Sequence, residues 1–344
     1  MTVRVRMTMA GAAVGALALG ACATGPEPPG RTATPLTVNV PRGLEEVPIP
    51  ADNPMTVEKV ELGKQLYFET RLSLNDTISC ATCHDPARGF TDQAPVSTGI
   101  GGQTGTRSAP TVLNSAYAFS QFWDGRAATL EDQALGPIEN PIEMGASLAH
   151  VVRKLNEIPG YRSQFRNVFG TEVTSEGIAR AIAAFERTLL TGDSEWDRYQ
   201  SGDTAALSEA ARRGWELFGG KANCSSCHVG FNLTDGIFHN IGVGMDEENL
   251  DMGRYVVTKD VNDTGAFKTP ILRDLTSTAP YMHDGSEATL ESVVEYYNKG
   301  GFANEWLDAK MKPLGLTEQE KANLVAFMRS LDGSSTKVAP PALP

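Results

Sequence analysis

Apolar residues recur along much of the chain at the three- and four-residue spacing of a helix that buries one face. One such stripe consists of Ile178, Ile182, Phe185 and Leu189, and another of Leu324, Phe327, Met328 and Leu331. The alternating pattern of a half-buried strand is rare, and Tyr255-Val256-Val257 is the single candidate. The pattern therefore predicts a mainly α fold.

Residues that favour helix ends agree with these stripes. Thr56 can cap a helix that runs towards Phe68. Thr317 and Glu320 form a capping box ahead of the last stripe, and Gly333 lies just beyond its end. These signals place a helix early in the chain and another near its end.

The first residues have a different pattern. Arg4 and Arg6 precede an apolar run, 7–21, that is too short to span a bilayer as a mature helix and is typical of an export signal. The run ends at Leu19-Gly20-Ala21-Cys22, which resembles the bacterial lipoprotein signal. We therefore expect a cleaved signal and an acylated Cys22; an ordinary signal with a spare cysteine is the alternative.

The export signal predicts a periplasmic protein, attached to the membrane through a lipid anchor only. Residues 1–21 would be the lipoprotein-type signal, and residues 22–50, rich in Pro, Gly and Thr, would form a flexible tether. The remaining chain is long enough for two domains. The net charge of the full chain, -12, argues against a nucleic-acid partner and suits a basic protein such as a small electron-carrying cytochrome, or else simply keeps the protein soluble.

Two pentapeptides carry the most specific chemistry, namely Cys80-Ala81-Thr82-Cys83-His84 and Cys224-Ser225-Ser226-Cys227-His228. Two thiols at this spacing can bind both vinyl groups of one haem, and the adjacent imidazole can then ligate the iron. A four-cysteine zinc site would not need a histidine at the same place in both motifs. The motifs thus predict two covalently bound c-type haems, with zinc or a disulfide pair as alternatives.

The chain also contains an internal duplication. Residues 110–131 match residues 270–291 without a gap, at a constant offset of 160 positions. Upstream of each haem motif lies a second matched pair, Gly63-Lys64-Gln65-Leu66-Tyr67 and Gly214-Trp215-Glu216-Leu217-Phe218. We therefore predict two cytochrome c-like haem domains whose long loops wrap the haems. Their predicted bounds are 51–200 for the N-terminal, catalytic domain and 201–335 for the C-terminal, electron-transfer domain, followed by a tail at 336–344.

The two copies differ at positions that could face the haems. At the same offset, Pro137 corresponds to Tyr297. A proline cannot ligate iron, whereas a phenol can, so the first iron would be open and the second closed. Glu143 could move the proton of a peroxide bound at the open iron, or could be a solvated loop carboxylate. Gln133 could orient the peroxide through its amide.

Trp123 is the third candidate catalytic residue. It corresponds to His283 at the same offset. It could carry electrons between the haems, although a tryptophan is more often part of a core.

Several of these segments resemble one family. Residues 108–114 and 122–127, together with residues 267–270 and 279–285, resemble the bacterial diheme cytochrome c peroxidases. The superfamily also holds MauG-type enzymes, which oxidise tryptophans of a partner protein. By position, the resemblance makes Glu143 and Gln133 the distal acid/base and amide, Trp123 the inter-haem tryptophan, and His84 and His228 the proximal ligands.

Two departures from the peroxidase pattern bear on the reaction. Many of the peroxidases carry a histidine that caps the catalytic iron until the second haem is reduced, and Ile100 stands there in this chain. The peroxidases place a methionine over the second haem. This chain has Tyr297 at that position, and the MauG-type enzymes also have a tyrosine there. A phenolate favours ferric or higher iron. Tyr296 or Met282 is the alternative ligand to that iron.

The resemblance also raises a calcium site between the domains. The family uses an asparagine side chain and two backbone carbonyls. The carbonyl positions match Thr278 and Pro280, and the asparagine position is Ser108, a poorer oxygen donor.

Three functions follow as hypotheses. The first is a peroxidase that reduces hydrogen peroxide to water at the N-terminal haem, with electrons from a small cytochrome c or copper protein passed through the C-terminal haem. The second is a MauG-like enzyme that uses peroxide and a high-valent diheme state to oxidise tryptophan or tyrosine of a partner protein. The third, from another class, is a non-catalytic diheme electron carrier.

Overall fold

The computed structural model describes residues 33–248 and 250–344, so the predicted signal and Cys22 lie outside the described residues. The α-helices of the described residues are α1 (Val57–Tyr67), α2 (Cys80–Cys83), α3 (Leu130–Glu139), α4 (Leu148–Asn156), α5 (Pro159–Phe169), α6 (Ser175–Glu186), α7 (Glu195–Gln200), α8 (Glu209–Gly219), α9 (Tyr255–Thr258), α10 (Leu290–Lys299) and α11 (Glu318–Arg329). Short antiparallel pairs join β1 (Thr191–Gly192) to β4 (Ser334–Ser335) and β2 (Phe238–His239) to β3 (Phe267–Lys268). The predicted mainly α fold is confirmed.

Each half of the protein is built on two crossing helices. In the N-terminal half α1 packs on α6, and in the C-terminal half α8 packs on α11. A glycine lies at each crossing: a Cβ on Gly63 would lie 1.8 Å from the carbonyl oxygen of Ala181, and one on Gly214 would lie 2.0 Å from that of Asn323. Only glycine lets these backbones approach so closely. The matched glycines of the two sequence repeats therefore have the same packing role.

The predicted helix starts are confirmed. The Thr56 hydroxyl accepts a hydrogen bond from the Lys59 backbone N–H and caps α1. Thr317 and Glu320 form the capping box of α11, in which each side chain accepts from the other residue's backbone N–H. The apolar stripes of α6 and α11 lie in the cores of the N- and C-terminal halves.

The duplication is visible in the backbone as well as in the sequence. Helices α3 and α10 are both ten residues long and begin after Thr129 and Thr289, which are 160 positions apart and cap their helices in the same way. Phe122 and Met282, related by the same offset, both have left-handed φ angles, of 67° and 72°. The two halves thus share one local conformation ahead of the helix that carries Pro137 in one half and Tyr297 in the other.

The predicted strand at Tyr255-Val256-Val257 is wrong. These residues form the single turn α9, which is closed by a 2.9 Å hydrogen bond from the Lys259 N–H to the Tyr255 carbonyl. Val256 and Val257 are 44 % and 39 % exposed. With no neighbouring strand to pair with, the β-branched side chains do not hold the segment extended.

The described part of the predicted tether is not loose. The Leu36 N–H donates to the Met55 carbonyl at 3.1 Å, and the Val57 N–H donates to the Thr34 carbonyl at 2.9 Å. Val47 is buried. These contacts involve mainly backbone groups, which composition does not reveal, so the prediction of a flexible tether is wrong for residues 34–47.

The predicted tail is also in contact with the N-terminal half. The Thr336 N–H donates to the Leu190 carbonyl at 2.9 Å, and the Arg71 guanidinium donates to the Pro344 carbonyl at 3.1 Å.

Among the described residues, no helix combines the length and the apolar character needed to cross a membrane.

Candidate haem centres and active site

The first haem motif lies on the single turn α2. The backbone N–H of His84 donates to the Cys80 carbonyl at 2.9 Å, so the histidine follows the turn directly. The Nδ1 atom of His84 lies 3.3 Å from the Phe90 carbonyl oxygen, and burial lowers the pKa of His84. A neutral imidazole that donates its Nδ1–H to a carbonyl keeps the Nε2 lone pair for a metal.

The second motif repeats this arrangement. The Nδ1 atom of His228 lies 2.8 Å from the Leu233 carbonyl oxygen, and burial lowers the pKa of His228. His228, Cys224 and Cys227 line one large cavity in the C-terminal half. Its other walls include apolar side chains such as Leu290, Val294, Leu324 and Met328.

These residues fit two c-type haems. Each motif supplies two free thiols and one neutral imidazole whose Nδ1 is already fixed. The second motif opens into an apolar cavity, which suits a porphyrin. By contrast, the four cysteines divide between the two halves, whose cores are separate, so the motifs do not combine into one four-cysteine zinc site.

Glu143 lies beside the first haem motif. Its Oε1 atom accepts a 2.7 Å hydrogen bond from the Asn140 amide, and burial raises the pKa of Glu143. Burial raises the pKa of the Cys83 thiol, and the charges of Asp92 and Glu143 add to that rise. Glu143 is therefore partly withdrawn from water, within electrostatic reach of Cys83, and does not behave as a freely solvated loop carboxylate.

The loop after the first motif is hydrogen-bonded to the backbone of Glu143. The Ile100 N–H donates to the Glu143 carbonyl at 2.8 Å, and the Ile100 side chain is only 8 % exposed. The position at which many peroxidases carry a capping histidine thus adjoins Glu143. In this chain it presents only hydrocarbon.

Gln133 and Pro137 lie one turn apart on α3, ahead of Glu143. The side-chain amide of Gln133 forms no hydrogen bond with another described residue. Phe122 lies against this helix, with its ring 3.2 Å from the place of a Cβ on Gly136, and the Arg126 guanidinium stacks 3.4 Å above the Phe122 ring. Because the Gln133 amide has no hydrogen-bond partner among the described residues, it is free to bind a ligand.

Trp123 lies between the two halves. Its indole N–H donates to the Ser108 carbonyl at 2.9 Å, and the Ser108 N–H donates to the His283 carbonyl at 2.7 Å. The Trp123 and His283 rings meet edge to face, with centroids 6.5 Å apart. His283 also stacks on Phe267 at 3.6 Å, and burial lowers the pKa of His283 to about 4. Trp123 lines the same cavity as His228.

The structure separates the two candidate tyrosines. Tyr297 lines the cavity that contains His228, and its hydroxyl forms no hydrogen bond with another described residue. Burial raises the pKa of Tyr297. The Tyr296 hydroxyl instead donates to the Ile241 carbonyl at 3.0 Å. Met282 also lines the cavity, so it is the remaining alternative to Tyr297.

The three candidate calcium ligands, Ser108, Thr278 and Pro280, line this cavity too. The Ser108 backbone groups bind Trp123 and His283, and the Thr278 hydroxyl donates to the Leu275 carbonyl at 3.3 Å. The calcium site stays a prediction.

One cluster was not foreseen in the sequence. His239 lies between two carboxylates, with Nδ1 2.5 Å from Asp308 and Nε2 3.0 Å from Asp235. A hydrogen bond with the Cys227 sulfur and the two carboxylates raise the pKa of His239 to about 9. Asp308 is 69 positions from His239, so no sequence spacing reveals the pair. Cys227, Asp235 and His239 could together hold a metal ion, but haem attachment would use the Cys227 sulfur.

Comparison with known proteins agrees with this geometry. The family model for di-haem cytochrome c peroxidase matches residues 57–205, and the model for cytochrome c matches residues 211–332. The chain is 43 % identical over 305 residues to the methylamine utilization protein MauG of Methylorubrum extorquens, covering 88 % of this chain and 86 % of that protein. It is 39 % identical over 300 residues to the cytochrome c551 peroxidase of Nitrosomonas europaea, covering 86 % of each.

A solved structure shows the same fold. The chain superposes on a MauG-like protein associated with microbial copper homeostasis with a TM-score of 0.79 and 36 % identity, covering 89 % of this chain and 96 % of that one. The sequence identity to these relatives, over most of the length of each chain, shows common descent and not only a common fold. The chain therefore belongs to the family of diheme cytochrome c peroxidases and MauG proteins, whose members carry two c-type haems and act as oxidoreductases on peroxide.

Proposed function

We propose that this protein reduces hydrogen peroxide to water at its N-terminal haem site and receives the electrons through its C-terminal site. The observation that carries the proposal is the half-buried Glu143 beside the first haem motif, on the chain segment that follows Pro137. When bound, the haem would supply an iron to which peroxide can coordinate. Neither Pro137 nor Ile100 offers that iron a donor atom.

The residues around this site would handle protons. Glu143 would accept the proton of a bound peroxide and return it to the departing oxygen, so that peroxide, two protons and two electrons give two waters. The raised pKa of Glu143 brings it closer to the pH at which one group serves as both base and acid. Gln133, with its amide free, would orient the peroxide.

The C-terminal site would pass electrons rather than bind peroxide. We propose that Tyr297 would ligate the second iron, because it lines the cavity of His228 and its hydroxyl has no hydrogen-bond partner among the described residues. Trp123 would connect the sites, since its ring lies at the junction of the halves and lines the same cavity. A small cytochrome c or copper protein would supply the electrons.

A second function is favoured by Tyr297. In this alternative the protein is MauG-like and uses peroxide to oxidise tryptophan or tyrosine of a partner protein. The supporting observations are the tyrosine in the second cavity and the relatives named MauG or MauG-like. A non-catalytic electron carrier would need protein donors at both irons, and Pro137 opposes this.

Three further statements belong with the proposal. We propose export to the periplasm and a lipid on Cys22, on the strength of the first residues of the sequence. We also propose a calcium ion bound by Ser108, Thr278 and Pro280. Each is testable on the purified protein, by mass measurement of the mature N-terminus and by metal analysis.

The test compares two reactions of the haem-loaded protein. With reduced cytochrome c present, rapid oxidation of the cytochrome on addition of peroxide supports the peroxidase. Without a reductant, a long-lived near-infrared band after stoichiometric peroxide, together with slow cytochrome oxidation, supports the MauG-like alternative. If the protein consumes no peroxide in both assays, the peroxidase and the MauG-like function are both contradicted, and the electron carrier remains.

A further inference from the structure

A continuous line of aromatic rings connects the second haem motif to the protein surface. The His228 ring lies 6.3 Å from the Phe218 ring, centroid to centroid. Phe218 in turn stacks on Trp215 at 6.0 Å with an interplanar angle of 25°. Trp215 is half-buried on α8, so its indole reaches the surface. Neighbouring rings at these separations are in contact or nearly so, which favours electron tunnelling along the line.

The first repeat does not carry this line at its matched positions. At the matched positions of the first repeat, Lys64 stands in place of Trp215 and Tyr67 in place of Phe218. Tyr67 is fully buried and its hydroxyl donates to the His84 carbonyl at 2.7 Å. A lysine cannot exchange electrons. The two haem motifs therefore share a fold, but at these positions only the second has an indole that reaches the surface.

Trp215 is better placed to lose an electron than its neighbour Trp196. The rings of Trp196 and Trp215 meet at 5.7 Å. Trp196 is only 7 % exposed and its indole N–H has no hydrogen-bond partner among the described residues. The Arg273 guanidinium also lies 6.0 Å from the Trp196 ring centroid, in an ion pair with Asp197. No described cation lies over the Trp215 ring in this way.

We propose that Trp215 is a one-electron oxidation site through which oxidising equivalents leave the C-terminal haem site. The inference rests on the proposed reaction with peroxide. An electron would pass from the Trp215 indole past the Phe218 and His228 rings to the C-terminal haem site, with peroxide as the final oxidant, and the indole would lose its N–H proton to solvent. Where a reductant can contact the accessible part of the indole, it restores Trp215 by giving back one electron and one proton.

Without a reductant, Trp215 itself is consumed. Two successive one-electron losses and the addition of one water give a hydroxylated indole, two protons and two electrons. Those electrons and protons reduce one peroxide to two waters. The net reaction is therefore one peroxide and one tryptophan giving one hydroxytryptophan and one water. Trp215 is in this sense a modification site as well as a relay.

The experiment treats the haem-loaded full chain with peroxide in the absence of a reductant. Radicals are recorded by electron spin resonance after rapid freezing, with deuterated tryptophan to identify an indole signal, and peptides are then analysed by mass spectrometry. Trp215→Phe removes the oxidisable ring but keeps an aromatic at the site. Phe218→Leu keeps Trp215 and interrupts the line. Trp306→Phe is the matched control, because Trp306 is also half-buried and has no ring contact with another described residue.

We expect a tryptophan radical and the gain of one oxygen atom on the peptide that contains Trp215. Trp215→Phe should lose both signals, Phe218→Leu should lower both, and Trp306→Phe should keep both. Peroxide consumption with an unmodified Trp215 and a radical signal unchanged in Trp215→Phe would overturn this inference alone. Equal oxidation of Trp215 in Phe218→Leu would show direct attack by peroxide and would also overturn it. A wild-type protein that does not consume peroxide contradicts the proposed function as well.

Discussion

The indole of Trp123 and the imidazole of His283 occupy equivalent positions in the two repeats and meet edge to face, with centroids 6.5 Å apart. The duplication therefore does more than provide two haem sites. It brings corresponding loops of the two halves against each other, with the Ser108 backbone hydrogen-bonded to both residues. One side of this contact carries an oxidisable indole, and the other a neutral imidazole.

Glu143→Gln tests the proton-handling step. A neutral amide cannot accept the peroxide proton, so we expect the reaction of the oxidised protein with peroxide to slow on the order of a hundredfold. The wild-type rate should fall as the pH is lowered and Glu143 is protonated. Because burial raises the pKa of Glu143, this decline should be centred above the ordinary value of 4.5.

Stopped-flow absorbance provides both measurements. Glu139→Gln is the control, since Glu139 is an exposed glutamate at the end of α3, just ahead of the turn that contains Glu143. Equal rates in Glu143→Gln and wild type would remove Glu143 from the mechanism. A decline in rate centred on the ordinary glutamate pKa of 4.5 would show that the burial of Glu143 has no effect on proton transfer.

Ile100→His tests the role of the missing capping residue. The Ile100 side chain is nearly buried, and its N–H holds the Glu143 segment. An imidazole there should reach the first iron and block peroxide in the fully oxidised protein. We expect the fully oxidised variant to react with peroxide at least tenfold more slowly than the wild type, which corresponds to an activation free energy higher by about 1.4 kcal/mol. One-electron reduction should restore the rate.

Ile100→Val is the matched control for packing at this position. It should behave as the wild type, because valine also lacks a donor atom. If Ile100→His reacts with peroxide at the wild-type rate in the oxidised state, the loop does not lie over the iron.

Much of this fold follows from local signals in the sequence, because haem motifs, caps and apolar stripes act over a few residues. The offset of 160 also predicts that α3 and α10 are equivalent, as they are. The exceptions depend on tertiary contacts. Tyr255-Val256-Val257 has strand composition but finds no partner strand, and the contact of His239 with Asp308 joins distant segments.

The candidate site shows the same division. Sequence comparison of the repeats identifies Pro137, Tyr297 and Glu143 as the informative differences. It does not show which tyrosine faces the cavity, because Tyr296 and Tyr297 are adjacent and equally apolar. Only the packing of α10, which directs the Tyr296 hydroxyl to Ile241, separates them.

Asp197→Asn tests the buried ion pair between Asp197 of α7 and Arg273. Asp197 is 1 % exposed and bonds the Arg273 guanidinium at 2.7 and 2.9 Å. Burial alone would raise the pKa of Asp197, but its hydrogen bonds with Arg273 and its attraction to that charge hold the pKa below 3.8. Removing one partner leaves a buried charge unpaired, so we expect a loss of about 3–5 kcal/mol in the free energy of unfolding.

The pH dependence has a definite sign. A lowered folded-state pKa gives stabilisation that is complete above the ordinary aspartate value of 3.8 and is lost as the pH falls through the folded-state pKa. Chemical denaturation at several pH values measures this dependence. The free energy of unfolding of Asp197→Asn should fall less steeply with decreasing pH than that of the wild type. Glu209→Gln, which breaks the exposed pair with Arg213, should cost at most about 1 kcal/mol. Similar costs for both variants would contradict the assignment.

Gly214→Ala tests the helix crossing in the C-terminal half. The added Cβ would lie 2.0 Å from the Asn323 carbonyl oxygen, so α8 and α11 would have to separate. We expect a loss of about 1–3 kcal/mol or more in the free energy of unfolding. Gly219→Ala, on the same helix with no atom within 4 Å of the new Cβ, should be neutral or slightly stabilising. Equal denaturation midpoints for the two variants would show that the crossing tolerates a side chain.

The most direct measurement of the central claim is the electron spin resonance spectrum of the fully oxidised, haem-loaded protein, compared with that of Tyr297→Phe. An open first iron and a second iron closed by Tyr297 predict one high-spin and one low-spin ferric signal in equal amounts, with the low-spin signal lost or shifted in the variant. Two low-spin signals in the wild type, or a spectrum unchanged by Tyr297→Phe, would contradict the account.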